Sequence, residues 1–314
     1  MTHRGCSQHL QRALVDFAAD VPFAQARETL HEHYGVSLST STFRAITETH
    51  ARVCGRFRQG EPAWPSEDGT PALIAEIDGG MVPIVHSDVQ QDDRRKGKRL
   101  LWKEAKLCLA HAHGSATPVY GGTLLGGVDE AGREVRACAI AAGLGQRTQV
   151  HAVGDGAPWI ADQVAQQFGT QGHYLVDFFH VCDYLAPAAK VCAPEDPNAW
   201  LERQKARLKA NRSAAVLGDL LGAIESPSLP DEEAPVRLCH RYLHKRRAQL
   251  DYAGARAAGL PIGSGEIESE HRYVVQQRLK RPGAWWTTEN AEAMLALRLV
   301  RANDQWADYW QGLD

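Results

Sequence analysis

Leu73-Ile74-Ala75-Glu76-Ile77-Asp78-Gly79-Gly80 is the stretch on which the reading of this chain turns. It is an apolar run too short for a core helix and closed by two glycines, which predicts a buried strand ending at Gly79-Gly80 with Asp78 at its tip. Glycines there leave room for a metal ion and a phosphate. Downstream, residues 105–111 (AKLCLAH) and 119–125 read as two further strands. Asp129 is placed to cap a helix whose Val135, Cys138, Ala139 and Ala142 share one face and which Gly143 stops. Residues 150–153 form a fourth strand that runs into Gly154-Asp155-Gly156, 158–168 (PWIADQVAQQF) a helix, and 174–176 a fifth strand.

Three strands, then helix, strand, helix and strand, is an α/β pattern and the order expected of an RNase H-like core with a mixed sheet. If strands one and four are neighbours, Asp78 and Asp155 emerge at the same edge. From about 178 to 260 the pattern is helical and polar, broken at PEDPN (194–198) and SPSLPDEEAP (226–235), and reads as a helical insertion. Amphipathic helices return at about 265–280 and 289–303. The first 54 residues are also helical. Pro22 opens a helix closed by Tyr34-Gly35, and one of Ser39, Thr40 or Ser41 caps the next, with Phe43, Ile46 and Val53 as its apolar positions and Arg44, Thr47 and Glu48 outside. That pair fits a helix-turn-helix with its second helix in the major groove. The expected divisions are a helix-turn-helix-like region at 1–54, a Gly- and Pro-rich linker at 55–71, the RNase H-like domain at 72–303 and a tail at 304–314.

The chain has 314 residues, 44% of them hydrophobic, enough for a sizeable core. No apolar run reaches the ~18 residues of a membrane span and no signal-peptide pattern opens the chain, so a cytoplasmic protein without membrane contact is expected. Seven cysteines without a CxxC pair point to reduced thiols rather than a disulfide framework or structural zinc site. A net charge of −3 argues against a protein that merely coats nucleic acid. The cations nonetheless cluster: Arg94, Arg95, Lys96, Lys98, Arg99, Lys103 and Lys106, then 203–212, then Lys245, Arg246 and Arg247.

Cutting a phosphodiester and joining its 3′ end is an in-line displacement suited to two Mg²⁺ ions, which require carboxylates from separate elements. Asp78 and Asp155 supply two. Glu268 is the third, early in the helix introduced by Gly263-Ser264-Gly265, where Arg272, Gln276 and Lys280 follow it at intervals of four and Ile267, Val274 and Leu279 form an apolar side. Glu266 and Glu270 are expected to point away from it, about 200° around the helix. Each acid alone also has a structural reading, as a turn-bonding Asp or a Glu complementing a helix dipole.

Taken together, IDGG around Asp78, GDGAPWI around Asp155, VDFFHVCDYL (176–185), GSGEIES (263–269), QRLKRPGAWW (277–286) and the NAEAMLALRLVRAND ending with WADYW resemble bacterial insertion-sequence transposases of the ISKra-type group. The resemblance implies a DDE-type enzyme using Mg²⁺, with Mn²⁺ also accepted, whose acidic triad maps to Asp78, Asp155 and Glu268. It implies cleavage and strand transfer at terminal inverted repeats, with double-stranded element ends and target DNA as partners and a homo-oligomer on DNA. Asp177 and His180 match its DFFH-like stretch, where His180 either orients a phosphate or water or packs beneath the site. Arg44, Lys103, Arg272, Arg278, Lys280 and Arg281 are the expected DNA contacts. Trp285 and Trp286 either stack on an unpaired base or belong to the core. Group members commonly carry more sequence ahead of the helical region, which makes this copy a candidate for a shortened one. Two alternatives are an inactive or domesticated transposase that binds DNA without cutting it, and an RNase H-like nuclease that hydrolyses without strand transfer.

Overall fold

The structure is a computed structural model describing residues 5–58, 60, 62–87 and 97–313. Arg94, Arg95 and Lys96 of the first basic cluster lie outside the described residues. Three helices open the chain: α1 (Gln8–Asp20), α2 (Phe23–Tyr34) and α3 (Thr40–Phe57). Ser7 and Ser39 accept the amides of Leu10 and Thr42 and so cap α1 and α3, while Gly35, at φ 66°, ends α2 in the left-handed region. Strands β1 (Ala72–Ser87), β2 (Lys98–Ala112) and β3 (Val119–Thr123) follow, then α4 (Val128–Ala141), β4 (Gln149–Gly154), α5 (Pro158–Phe168) and β5 (Gly172–Val176). The sheet order is β3-β2-β1-β4-β5; β1, β2 and β3 pair antiparallel, and β1, β4 and β5 run parallel. The fold is thus α/β with a five-stranded mixed sheet, and β1 and β4 are neighbours as expected.

Several boundaries differ from the sequence reading. β1 does not stop at Gly79-Gly80 but continues to Ser87, paired with β2 as far as Lys98. The parallel ladder with β4 stops at Ile77, so Asp78 sits where a five-stranded sheet narrows to a two-stranded ribbon. The glycine pair accommodates side chains: a Cβ at Gly80 would collide with the His271 ring, and one at Gly79 with Glu104. Gly127, not Asp129, takes the cap position of α4; Asp129 lies in the first turn and accepts from Gln163. Thr47 is buried rather than outside, its hydroxyl bonded to the Phe43 carbonyl.

The remaining elements are α6 (Phe178–Cys192), α7 (Pro197–Lys209), α8 (Ser213–Leu221), α9 (Pro235–Lys245), α10 (Tyr252–Ala257), α11 (Gly265–Glu270), a π-helical turn (His271–Gln276), α12 (Gln277–Leu279), α13 (Thr288–Ala302) and α14 (Trp306–Gln311). One sheet face packs Leu73, Ala75, Ile77, Cys108 and Ala110 against Val135 of α4 and Ile160 and Val164 of α5. The other packs Val82, Ile84, Leu107 and Leu109 against Ile267, Val274, Leu279 and α13, in one core with Leu14, Leu30, Phe43 and Ile46 of the opening helices. Helices α1 to α3 therefore share their core with the sheet. Residues 304–313 do too: Trp310 is buried against His50, whose ring nitrogens meet the Tyr309 hydroxyl at 2.7 Å and Gln11 at 2.9 Å. Helices α6 to α10 surround an apolar cluster of their own with Leu175 and Val176.

Arg298 of α13 locks three of these parts together. Fully enclosed, it donates to the carbonyls of Val274 (2.7 Å), Tyr273 and Ala19 (2.6 Å), and to Asp20 (2.7 Å). Removing one partner of such a network strands the others without water. Arg298→Met is expected to lose about 3–5 kcal/mol of stability in urea unfolding; an unchanged midpoint would show that the network is not holding α1, the π-turn and α13 together.

Candidate active site

Side chains alternate across a strand, and paired residues of adjacent strands share a face. Glu76 and Asp78 therefore project together from β1. Glu76 pairs with Val153, which places Val153 and, two residues on, Asp155 on that same face; Gly154 pairs with Val176, which brings Asp177 to it as well. Four carboxylates thus gather on one face at the carboxyl ends of three parallel strands, where open α/β sheets place their sites.

Asp78 is half-buried with its Oδ2 3.3 Å from Nε2 of His271. Burial raises its pKa, the charges of His271 and His180 and the Gly79 amide pull it down, and the like charge of Asp155 pushes it up again. The same burial lowers the pKa of His271, against the pull of Asp78. The Asp155 charge thus reaches Asp78, where the His271 contact and the His180 charge oppose it.

The Asp155 loop is braced from outside the sheet. Its Oδ1 accepts the Ala157 amide at 2.7 Å, an Asx turn leading into α5. Helix α9 grips the backbone: Tyr242 donates its hydroxyl to the Asp155 carbonyl (2.6 Å) and Arg246 its Nε to the Gly156 carbonyl (2.5 Å), while the Gly156 amide donates to Tyr174 (2.9 Å). Gly156 stands at φ +86°, and a Cβ there would run into Arg246 and Tyr242. Tyr184 stacks on one side of Tyr242 at 4.0 Å, and the Arg246 guanidinium lies over the Tyr242 ring at 4.0 Å.

On the opposite side, α11 is tied to the sheet by two carboxylates. Glu76 accepts the Ile267 amide at 2.8 Å, and burial pushes its pKa up to about 8. Asp177 accepts from the Ser264 amide (2.7 Å) and hydroxyl (2.5 Å) and also caps α6 through Phe179 (2.5 Å) and His180. Asp177 and Ser264 are both buried, so Asp177 holds the site's frame, and His180 lies in the first turn of α6, near enough for its charge to lower the pKa of Asp78. The π-turn after α11, a distortion common at functional sites, delivers His271.

Glu266 and Glu270 point away from Glu268 as the helical wheel predicts, but the side that faces inward is not that of Glu268. Glu270 is the inward one, its carboxyl buried without a hydrogen-bond partner and its pKa well above the usual carboxylate range through burial. Glu266 reaches His111 at 3.2 Å. Glu268 is exposed, and its charge bears on the pair through His271, whose pKa it raises. Asp78 and Asp155 are thus brought together, whereas Glu268 stands beside them in solvent. Among the described residues, no three His, Cys, Asp or Glu side chains form a preassembled metal cluster.

The expected DNA contacts divide. Arg44, Arg272 and Lys280 are exposed, and Lys103 and Arg281 half-buried. Arg278 is a correction: it is buried, donates its Nε to the Ala18 carbonyl at 2.9 Å and lies between the Phe23 and Trp286 rings at 4.8 and 4.7 Å. Burial lowers its pKa to about 10. Trp286 joins the core and Trp285 is exposed. Sequence reasoning missed His271, Glu76, Tyr242 and Arg246. Glu76 alone left a signal, a carboxylate inside an apolar strand two residues before Asp78.

The sequence matches no family model and no curated protein. No helix among the described residues is long and apolar enough to cross a membrane.

Two measurements probe this frame. Tyr242→Phe removes one hydrogen bond from the Asp155 loop, worth about 1 kcal/mol, and is expected to speed amide exchange at Gly156 and Ala157 several-fold with little change elsewhere; uniform exchange rates would dissolve the brace. Glu76 keeps its proton to about pH 8 in the folded chain but only to about 4.5 unfolded. Its contribution to stability is therefore complete below the lower value and lost as pH rises through the upper one. Glu76→Gln, which cannot ionise, is expected to gain in melting temperature over the parent chain between about pH 5 and pH 8 with chelator present; a constant difference across that range would contradict the assignment.

Proposed function

We propose that this chain is a DDE-type DNA transposase with an RNase H-like core, cutting and joining DNA at the ends of an insertion sequence. The observation that carries the reading is the register that puts Asp78 and Asp155 on one face at the carboxyl ends of adjacent parallel strands, close enough for the Asp155 charge to disfavour ionisation of Asp78. The sheet order and strand senses are compatible with an RNase H-like core, and the motif resemblance supplies the chemistry. Carboxylate oxygens are the donors a hard divalent cation prefers. Asp78, Asp155 and Glu268 would hold Mg²⁺ or Mn²⁺, which supplies charge stabilisation to an in-line displacement at phosphorus.

The chain's own groups do the rest. Asp177 and Glu76 hold α11 against the sheet, His271 orients the Asp78 carboxylate, and α9 keeps Asp155 from drifting with its loop. Glu268, at the start of α11, has to turn from solvent toward the two aspartates. Water is the nucleophile for cleavage and the freed 3′-hydroxyl for strand transfer. A second reading, a protein that binds transposon ends without cutting, is favoured by one observation, the exposed position of Glu268.

Asp78→Asn, Asp155→Asn and Glu268→Gln are each expected to abolish metal-dependent cleavage of terminal-repeat DNA while leaving its retention in a gel-shift assay intact. Undiminished cleavage by Asp155→Asn would remove the assigned centre, and end binding with no nicking by the parent chain in either metal would favour the second reading.

A further inference from the structure

Beyond Gly80 the β1–β2 ribbon carries large apolar side chains that the described residues leave exposed. Residues 98–102 of β2 are all exposed, including Leu100 at 57% and Trp102 at 56%. The register gives them a common surface: Trp102 pairs with Pro83 and Leu100 with Val85, so these four share a face with Met81. The opposite face of the same ribbon carries Val82 and Ile84, both in the core.

A third extended segment widens the surface. Ile84 bridges Trp286 in parallel, and the Val85 amide donates to the Trp286 carbonyl at 2.8 Å. Trp286 thus goes inward with Ile84, and its neighbour Trp285 turns to the face of Pro83 and Val85, 62% exposed. Lys98 confirms the placement by reaching across β1 to lie 4.8 Å above the Trp285 ring. Trp102 and Trp285 therefore flank Pro83 and Val85 at roughly two strand spacings, about 10 Å.

We propose that this face is a stacking platform for unpaired nucleotides of single-stranded DNA. Exposed aromatic rings on a sheet, with cations at their margins, bind single strands because every base offers a π-face and every linkage a negative charge. Lys98 exchanges the Trp285 ring for a phosphate when a base takes its place, while Arg99 and Lys103, opposite His86 and Val82, belong to the other face of the ribbon. Among the described residues, the one carboxylate on the face, Glu104 opposite Met81, is neutralised by Lys106 at 2.7 Å. Charge also sets this occupant above a second copy of the chain, which would bring more cations and a carboxylate already paired. The proposal extends the DNA-processing reading to the kind of strand handled, and binding to the platform requires no cleavage.

The test is fluorescence anisotropy of a labelled oligothymidylate with the full chain in EDTA, so that loss of nuclease chemistry and loss of the platform are read separately. Trp102→Ala and Trp285→Ala are each expected to weaken single-strand binding about tenfold, while Trp102→Tyr, which keeps a ring, restores most of it and duplex binding is little changed. Equal losses on duplex and single strand, or unchanged affinity in both alanine variants, would overturn the platform. So would a dimer in sedimentation that Trp102→Ala dissolves, because the face would then belong to a second copy.

Discussion

The arrangement depends on a carboxylate that has been taken out of water. Glu76 lies inside β1, where an ionised side chain would be costly, and its oxygen accepts the Ile267 amide 191 residues further along the chain. A helix start has amides without partners, and a buried acceptor on the sheet satisfies one of them. That single bond sets the distance and rotation of α11. Ser264 then falls on Asp177, and His271, after the π-turn, on Asp78. The polar groups of the site are therefore spent largely on one another, and the geometry of the carboxylate pair follows from how α11 is docked.

The helical insertion complements this from the other side. Helices α6 to α10 have their own apolar cluster, so they stand firmly enough to transmit a constraint. Through Tyr242 and Arg246 they hold the backbone, not the side chain, of the Asp155 loop. Backbone anchoring leaves the carboxylate with one oxygen in the Asx turn to Ala157. A segment that looks in sequence like an interruption of the sheet domain is thus part of what shapes its centre.

Much of this was legible because it rests on local periodicity. Apolar runs bounded by glycine place all five strands, and the 3.6-residue pattern with its caps places α2 to α5 and α13. The adjacency of β1 and β4 was a condition the element order suggested and the pairing met. Other features were hidden because they depend on what lies across space. The length of β1 past Gly80 comes from pairing with β2 and from Trp286 closing over Ile84. Arg278 reads as a DNA contact until the Phe23 and Trp286 rings enclose it. Glu270 rather than Glu268 turns inward because the β1 and β2 face of the sheet lies beneath that side of α11, and a helical wheel has no knowledge of what is beneath it.

The sequence by itself determined where most strands and helices lie, and that Asp78 and Asp155 stand at strand ends, since side-chain alternation and short-range sterics act within a few residues. Only the tertiary structure decided which partners those acids meet, which tryptophan is buried and which faces solvent, and how a helix far along the chain docks on β1. Those outcomes are set by desolvation and by hydrogen bonds between residues distant in sequence, and such energies exist only once the chain has closed on itself.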